Sequence, residues 1–205
     1  MKDFSNSYLN ILKTDFKDLN LTRILNDQDF YIKQILDSTV ISKYNMFTES
    51  IKSSEVIVDV GFGGGFPILP LAKLYPEKFF IGLEAKRKKV DAVSLIAEKL
   101  NINNVKLVHE RVENINFNIK TTLVSKAVCS LHKMYHYINN GHRVNIFMYK
   151  GPNFRENELS ELKKIKFEEW DTQIIDNVDR KIIYAIKHPK NMKQNGLKKI
   201  SDLLP

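Results

Sequence analysis

The stretch EVIVDVGFGGGFPILPLA, residues 55–72, decides how the rest of the chain is read. After Glu55 its next five residues are a β-branched run around one acid, Asp59, short enough for a strand and apolar enough to be buried on both faces. Four of the chain's eight glycines then fall within five positions, at Gly61, Gly63, Gly64 and Gly65. Glycines let a tight turn enter positive φ and let backbone approach a ligand closely. The apolar run after them predicts a helix over 66–74, whose N-terminus would offer free N–H groups to the same turn. A turn rich in glycine only for packing is the competing reading, and the clustering of half the glycines weighs against it.

Outward from this loop, strands predicted over 79–84, 105–109, 121–128 and 144–150 alternate with helices over 87–100 and 131–138. Such alternation implies right-handed crossovers and a mainly parallel sheet with helices on both faces. Beyond a helix predicted over 157–164, the runs 166–175 and 180–187 are separated only by a polar turn at 176–179, so they should pair antiparallel. An α/β chain of this order, closed by an antiparallel terminal hairpin, resembles the class I S-adenosylmethionine-dependent methyltransferase (Rossmann-like) fold more than a plain dinucleotide-binding fold. Upstream, residues 4–43 contain no glycine or proline and space Tyr8, Ile11 and Leu12, then Phe30, Ile32, Ile35 and Leu36, at helical intervals. The expected organisation is an N-terminal helical extension over 1–50, a methyltransferase domain over 51–190 and a basic C-terminal tail over 191–205, in one structural unit. The tail reads as a short docked helix or a loose end.

At 205 residues the chain suits one domain, and 43% hydrophobic residues exclude wholesale disorder. A single cysteine, Cys129, excludes an intrachain disulfide and a multi-cysteine zinc site, which fits a reducing cytosol. Residues 1–10 lack a basic stretch followed by an apolar run, and no segment approaches a membrane span, so a cytoplasmic protein is expected. A formal net charge of +8 favours polyanionic partners.

Which ligand the loop takes follows from what it lacks. Phe66 stands where the third glycine of G-x-G-x-x-G belongs, which favours S-adenosylmethionine, a cofactor without pyrophosphate, over a dinucleotide. Glu84 ends the second predicted strand, where a carboxylate can accept from both ribose hydroxyls; a solvated strand-end acid is the alternative. After the third strand, HERVEN at 109–114 offers Glu113 to the adenine amine, with the Val112 backbone near the ring edge; Glu113 as a plain helix-start carboxylate is the alternative.

The segment 59–72 resembles the GidB family, also called RsmG, bacterial methyltransferases acting on guanine N7 in 16S ribosomal RNA, whose loop reads Gly-x-Gly-x-Gly-Phe-Pro-Gly-x-Pro-Leu-Ala. Further matches follow in order: Asn20-Leu-Thr22, Leu36-Asp-Ser38, Lys86-Arg87-Lys88, Arg111-Val112-Glu113, Ser125-Lys126-Ala127 and Lys150-Gly151. The resemblance covers roughly residues 20–187. Ile68 replaces a family glycine, Phe62 a small residue and Lys126 an arginine, while Gln34 and Ile35 occupy the stretch where the family has a histidine. Taken with the loop, the resemblance implies a cofactor set of Asp59, Gly61, Gly63, Gly65, Phe66, Glu84, Val112, Glu113 and Lys126.

Guanine N7 carries an unprotonated lone pair at neutral pH, so no catalytic base is nominated and positioning should carry the rate. Lys126 and Lys150, at the ends of adjacent strands, are the catalytic candidates, able to hold an RNA phosphate or guanine O6; solvated strand ends are the alternative. Cys129 reads as a small buried residue more than a nucleophile, and His132, His136 and His142 as surface residues more than metal ligands. Basic runs at 86–89, 163–166 and 187–199 offer an RNA footprint, with Tyr149 and Phe154 available for base stacking. The implied partner is 16S rRNA or the small ribosomal subunit, with no membrane, no DNA and a monomeric protein expected. The rival readings are a small-molecule methyltransferase, an NAD-type reductase, and a non-catalytic rRNA-binding or assembly protein on the same fold.

Overall fold

The computed structural model describes residues 1–158, 161, 165–175, 178–189 and 196–205. It opens with helix α1 (Lys2–Asp15), followed by α2 (Asp27–Phe30), a π-helical segment (Tyr31–Leu36), α3 (Asp37–Thr39), a 3-10 turn (Val40–Lys43) and α4 (Asn45–Ser53). These helices present Tyr8, Phe30, Ile35, Ile41 and Phe47 inward at helical spacing, and all five are fully buried.

The alternating region follows as β1 (Val56–Val60), α5 (Ile68–Leu74), β2 (Phe80–Glu84), α6 (Arg87–Lys99), β3 (Val105–His109), β4 (Ile115–Phe117), β5 (Thr121–Lys126), α7 (Leu131–Tyr137), β6 (Asn139–Asn140) and β7 (Val144–Lys150). The chain continues through α8 (Phe154–Glu158), β8 (Phe167–Ile175), β9 (Val178–Lys187) and β10 (Lys198–Lys199), and ends in a 3-10 turn (Ile200–Leu203). The main sheet has seven strands in the order β3-β2-β1-β5-β7-β9-β8. β1 pairs parallel with β2 and β5, whereas β9 runs antiparallel to both β7 and β8, as the hairpin reading requires. Strand order reverses at β1, where β2 lies on one side and β5 on the other, and the cleft opens there.

Alternate residues of each strand feed two apolar cores. Ile57, Val124 and Phe147 face the N-terminal helices and α5 and α6, while Val58, Leu123 and Ile146 face α7 and the C-terminal turn. A buried polar cluster pins α4 to the sheet: the Ser50 and Ser54 hydroxyls lie 2.6 and 2.8 Å from that of Thr122, and Asn145 donates to Ser50 at 2.8 Å.

Several boundaries differ from the sequence reading. The helix expected from Phe66 starts at Ile68, and the strand expected to reach Val128 stops at Lys126 because Ala127 turns into the left-handed region at φ 60°. A small second sheet, β10-β4-β6, was not foreseen, since strands of two or three residues carry no periodicity. The tail docks through buried Ile200 and Leu203. Of the helix expected over 157–164, residues 159–160 and 162–164 lie outside the described residues, as do the hairpin turn residues 176–177 and tail residues 190–195.

Candidate active site

The glycine loop leaves β1 with Gly61, Gly63 and Gly65 all at positive φ, 72°, 57° and 89°. Its Gly61 N–H donates to the Leu83 carbonyl at 2.7 Å, fastening the turn to β2. At Gly64 close approach is the constraint, since a Cβ there would sit 2.5 Å from the Leu21 carbonyl oxygen. Tyr8, from α1, donates its hydroxyl to the Gly64 carbonyl at 2.5 Å and stacks on Phe66 with ring centroids 5.0 Å apart. The loop is therefore built between the sheet and the N-terminal helices.

Below it, Asp59 accepts the Ile68 N–H at 3.0 Å through Oδ2, while its Oδ1 has no hydrogen-bond partner among the described residues. Burial pushes its carboxyl up to about 8. Asp59 holds the loop-to-helix junction from beneath and does not line the cleft; Gly65, covered by Tyr8, is also absent from its lining.

The cleft itself encloses about 740 Å³ and is lined by Gly61, Gly63, Phe66, Glu84, Val112, Glu113 and Lys126, so seven members of the nine-residue cofactor set share one wall system. Glu84 ends β2 with its two oxygens already oriented: Oε2 accepts the Gly63 N–H at 3.1 Å and Oε1 the Lys86 N–H at 3.0 Å. Each oxygen retains capacity to accept a further hydrogen bond, the capacity a pair of ribose hydroxyls would use. Val112 and Glu113 lie in a 3-10 turn (Val112–Asn114) after β3, where the Glu113 carbonyl accepts from Asn139 Nδ2 at 2.7 Å. Beside them Glu110 accepts from Asn114 Nδ2 at 2.7 Å and the Arg111 N–H at 2.9 Å, which hold its carboxyl below the ordinary range. These residues fit an adenosyl group: a pre-oriented carboxylate, an open backbone turn and a second acid lie along one cleft.

Of the two strand-end lysines, Lys126 faces this cleft and Lys150 does not. Lys126 Nζ reaches Asp37 Oδ2 at 3.2 Å and Gln34 Oε1 at 3.4 Å, and lies 5.6 Å from the Phe66 ring centroid. Burial pushes its ammonium pKa down, against the pull of Asp37. Asp37 is also clamped by Arg180, at 2.6 Å through Nε and 2.9 Å through Nη2, which ties β9 to the site. Lys150 instead donates to Glu158 at 2.6 Å and to the Cys129 carbonyl at 2.7 Å, joining β7 to α8.

Two surface expectations need correction. Tyr149 and Phe154 are buried, and the Tyr149 hydroxyl donates to the Ser38 carbonyl at 2.6 Å, so neither ring is free to stack on a base. Lys187 is buried, with its ammonium donating to the Tyr135 carbonyl and, at 2.6 Å, to that of Ile138, which removes it from the RNA footprint. Cys129 is half-buried at the cleft, and burial pushes its thiol pKa up, away from a nucleophile. His132 and His136 lie side by side, 4.2 Å between ring centroids, and among the described residues no His, Cys, Asp or Glu cluster could hold a metal. Sequence reasoning missed Tyr8, Leu21, Val128, Lys133 and Tyr137. Tyr8, Lys133 and Tyr137 lie on helices and read like any core or surface helix residue, while Leu21 and Val128 lie in irregular segments with no residue-type signal.

A sheet whose order turns at β1, one antiparallel strand, a glycine loop at the turning point and an acid ending β2 define a class I S-adenosylmethionine-dependent methyltransferase. Solved structures agree on the fold: a SAM-dependent O-methyltransferase from Thermotoga maritima superposes with TM-score 0.55 over 91% of this chain and 73% of its own, at 14% identity. A SAM-dependent methyltransferase from Aquifex aeolicus gives 0.51 over 76% of this chain and 96% of its own, at 17% identity. The family model for rRNA small subunit methyltransferase G matches residues 2–188. The chain is 27% identical over 204 residues to the ribosomal RNA small subunit methyltransferase G of Mesoplasma florum, covering 96% of this chain and 77% of that one. With the Francisella philomiragia protein of the same name the identity is 31%, over 76% of this chain and 73% of that one; with that of Thermoanaerobacter sp. it is 32%, over 67% and 57%. The chain belongs to the rRNA small subunit methyltransferase G family.

Proposed function

We propose that this protein transfers a methyl group from S-adenosylmethionine to N7 of a guanine in 16S rRNA, presented as free RNA or within the small ribosomal subunit. When bound, S-adenosylmethionine supplies a sulfonium methyl: its S–C bond breaks as a bond to N7 forms, the base takes the positive charge, and a neutral thioether leaves. The observation that carries the reading is one cleft joining the glycine loop and the pre-oriented Glu84 carboxylate to a cationic border. Glu84, Val112 and Glu113 line the adenosyl half, and Lys86, Lys89, Arg111 and Lys133 line the same cleft. Among the described residues no histidine lines it, and its one thiol is pushed up by burial, which suits an acceptor atom that needs no proton removed. The chain's own work is then placement, with Lys126 held by Asp37 and Gln34 beside the reacting region. Among the described residues no helix is long and apolar enough to cross a membrane.

The test is transfer of labelled methyl to 16S rRNA and to small subunits lacking their native modification, followed by nucleoside analysis. 7-Methylguanosine is the expected product. Another methylated base would remove the N7 assignment, and binding of S-adenosylhomocysteine without transfer to either RNA would remove the acceptor.

A further inference from the structure

The cleft has two unlike halves. Towards β1, β2 and β3 its wall carries three acids: the Glu84 and Glu110 carboxylates are held by backbone and amide N–H groups, and Glu113 is fixed through its backbone carbonyl by Asn139. Towards β5 it consists of Lys126, Ala127, Val128 and Cys129, with Lys133, Met134 and Tyr137 of α7 behind. Ala127 makes this second wall. It adopts φ 60°, a conformation that residues with a Cβ enter at a cost and that persists only where the surroundings impose it. The result is that Val128 turns out of the sheet against the glycine loop, so close to Gly61 that a Cβ there would collide with a Val128 methyl. Val128 is nevertheless 45% exposed. Tyr137, the last residue of α7, is 39% exposed in the same cleft, whereas the other cleft aromatics, Phe62 and Phe66, are buried. A strained backbone that leaves an aliphatic side chain and an aromatic ring open beside an adenosyl site is a surface shaped for a flat apolar ligand.

Resting on the function proposed above, we infer that Val128 and Tyr137 form the acceptor subsite: an unpaired purine of the RNA, out of its own stack, lies against the Tyr137 ring with Val128 along its edge. Splayed RNA bases are held in this way on aromatic faces, because every base offers a π-surface. Lys133 lies one helical turn before Tyr137, lines the same cleft and is exposed, so it meets the phosphate next to the base placed there. The subsite also supplies the stacking ring that Tyr149 and Phe154, both buried, do not.

The test compares wild type, Tyr137→Ala and Tyr137→Phe by methyl transfer to unmodified 16S rRNA and by calorimetry with S-adenosylhomocysteine. Loss of the ring should raise the KM for RNA about tenfold while S-adenosylhomocysteine affinity and melting temperature stay at wild-type values, and Tyr137→Phe should restore the KM. A wild-type RNA KM in Tyr137→Ala overturns the subsite alone. So does a parallel loss of S-adenosylhomocysteine affinity, which would place the ring in the adenosyl half, or a Phe variant as impaired as Ala. Failure of the wild type to methylate RNA while it binds S-adenosylhomocysteine overturns the proposed function and the subsite together.

Discussion

Asp59 carries a carboxyl into a place where Ile68 N–H meets one oxygen and no hydrogen-bonding group among the described residues meets the other. Burial is the largest influence and raises its pKa to about 8; the Ile68 N–H and the Lys126 charge work against burial, and the Glu84 charge works with it. Between an unfolded value of about 4 and that folded value, the unfolded chain has released its proton and the folded chain retains it. The contribution of this group to stability is therefore fully present below about pH 4 and is lost as pH rises towards about 8. Asp59→Asn keeps an oxygen for Ile68 and cannot ionise. Urea unfolding across pH 5 to 8 should show the variant gaining on wild type, with a slope of up to about 1.4 kcal/mol per pH unit. A constant difference over that range would mean that Asp59 does not titrate there. Glu84 tests the opposite face of the same loop. Glu84→Ala removes the acceptor proposed for the ribose and leaves the Gly63 and Lys86 N–H groups without theirs, so S-adenosylhomocysteine affinity should fall by about 1–3 kcal/mol in calorimetry. Unchanged affinity would remove Glu84 from the ribose.

At the scale of elements, α1 and the glycine loop behave as one assembly, because Tyr8 both caps the Gly64 carbonyl and stacks on Phe66. Tyr8→Phe keeps the ring and strands a buried carbonyl, which should cost about 1 kcal/mol of stability and loosen S-adenosylhomocysteine binding with it. Melting curves with and without that ligand separate the two effects; a variant destabilised equally in both conditions would show that the loop keeps its shape without Tyr8. None of this coupling was legible in the sequence. A tyrosine at helical spacing with Ile11 and Leu12 reads as a core residue, and the code for where its hydroxyl ends is distributed over Gly64, Leu21 and Phe66. The strands and the loop were legible for the converse reason: β-branched runs and clustered glycines act locally. The end of β5 was not, since Ala127 at φ 60° has no residue-type signature, and neither was the π-helical segment Tyr31–Leu36, which lies between Thr22, bonded to Gln34, and Asp37, bonded to Lys126.

For the whole molecule the net charge of +8 is informative only once it is placed. Of the basic runs read from the sequence, that at 86–89 borders the cleft through Lys86 and Lys89, while Lys187 is spent on two carbonyls inside the protein. Composition alone could not distinguish these, because a lysine reads the same whether its ammonium faces solvent or a carbonyl. The folded arrangement also brings in Lys133, far from any run, as an exposed cation of the same cleft. Lys86, after β2, and Lys133, on α7, reach the same cleft from different elements, which makes them the pair to test for contact with RNA phosphates. Each phosphate contact releases condensed counterions, and the logarithm of the RNA association constant falls linearly with the logarithm of salt concentration. Lys86→Ala combined with Lys133→Ala should weaken RNA binding without regard to sequence and make the salt slope shallower by about 2. S-adenosylhomocysteine affinity should persist, because it is the Lys86 backbone N–H, not its side chain, that orients Glu84. Fluorescence anisotropy of a labelled 16S rRNA fragment over a salt series measures the slope directly. An unchanged slope would mean that neither cation meets a phosphate, and that the RNA reaches the cleft over a different face of the protein.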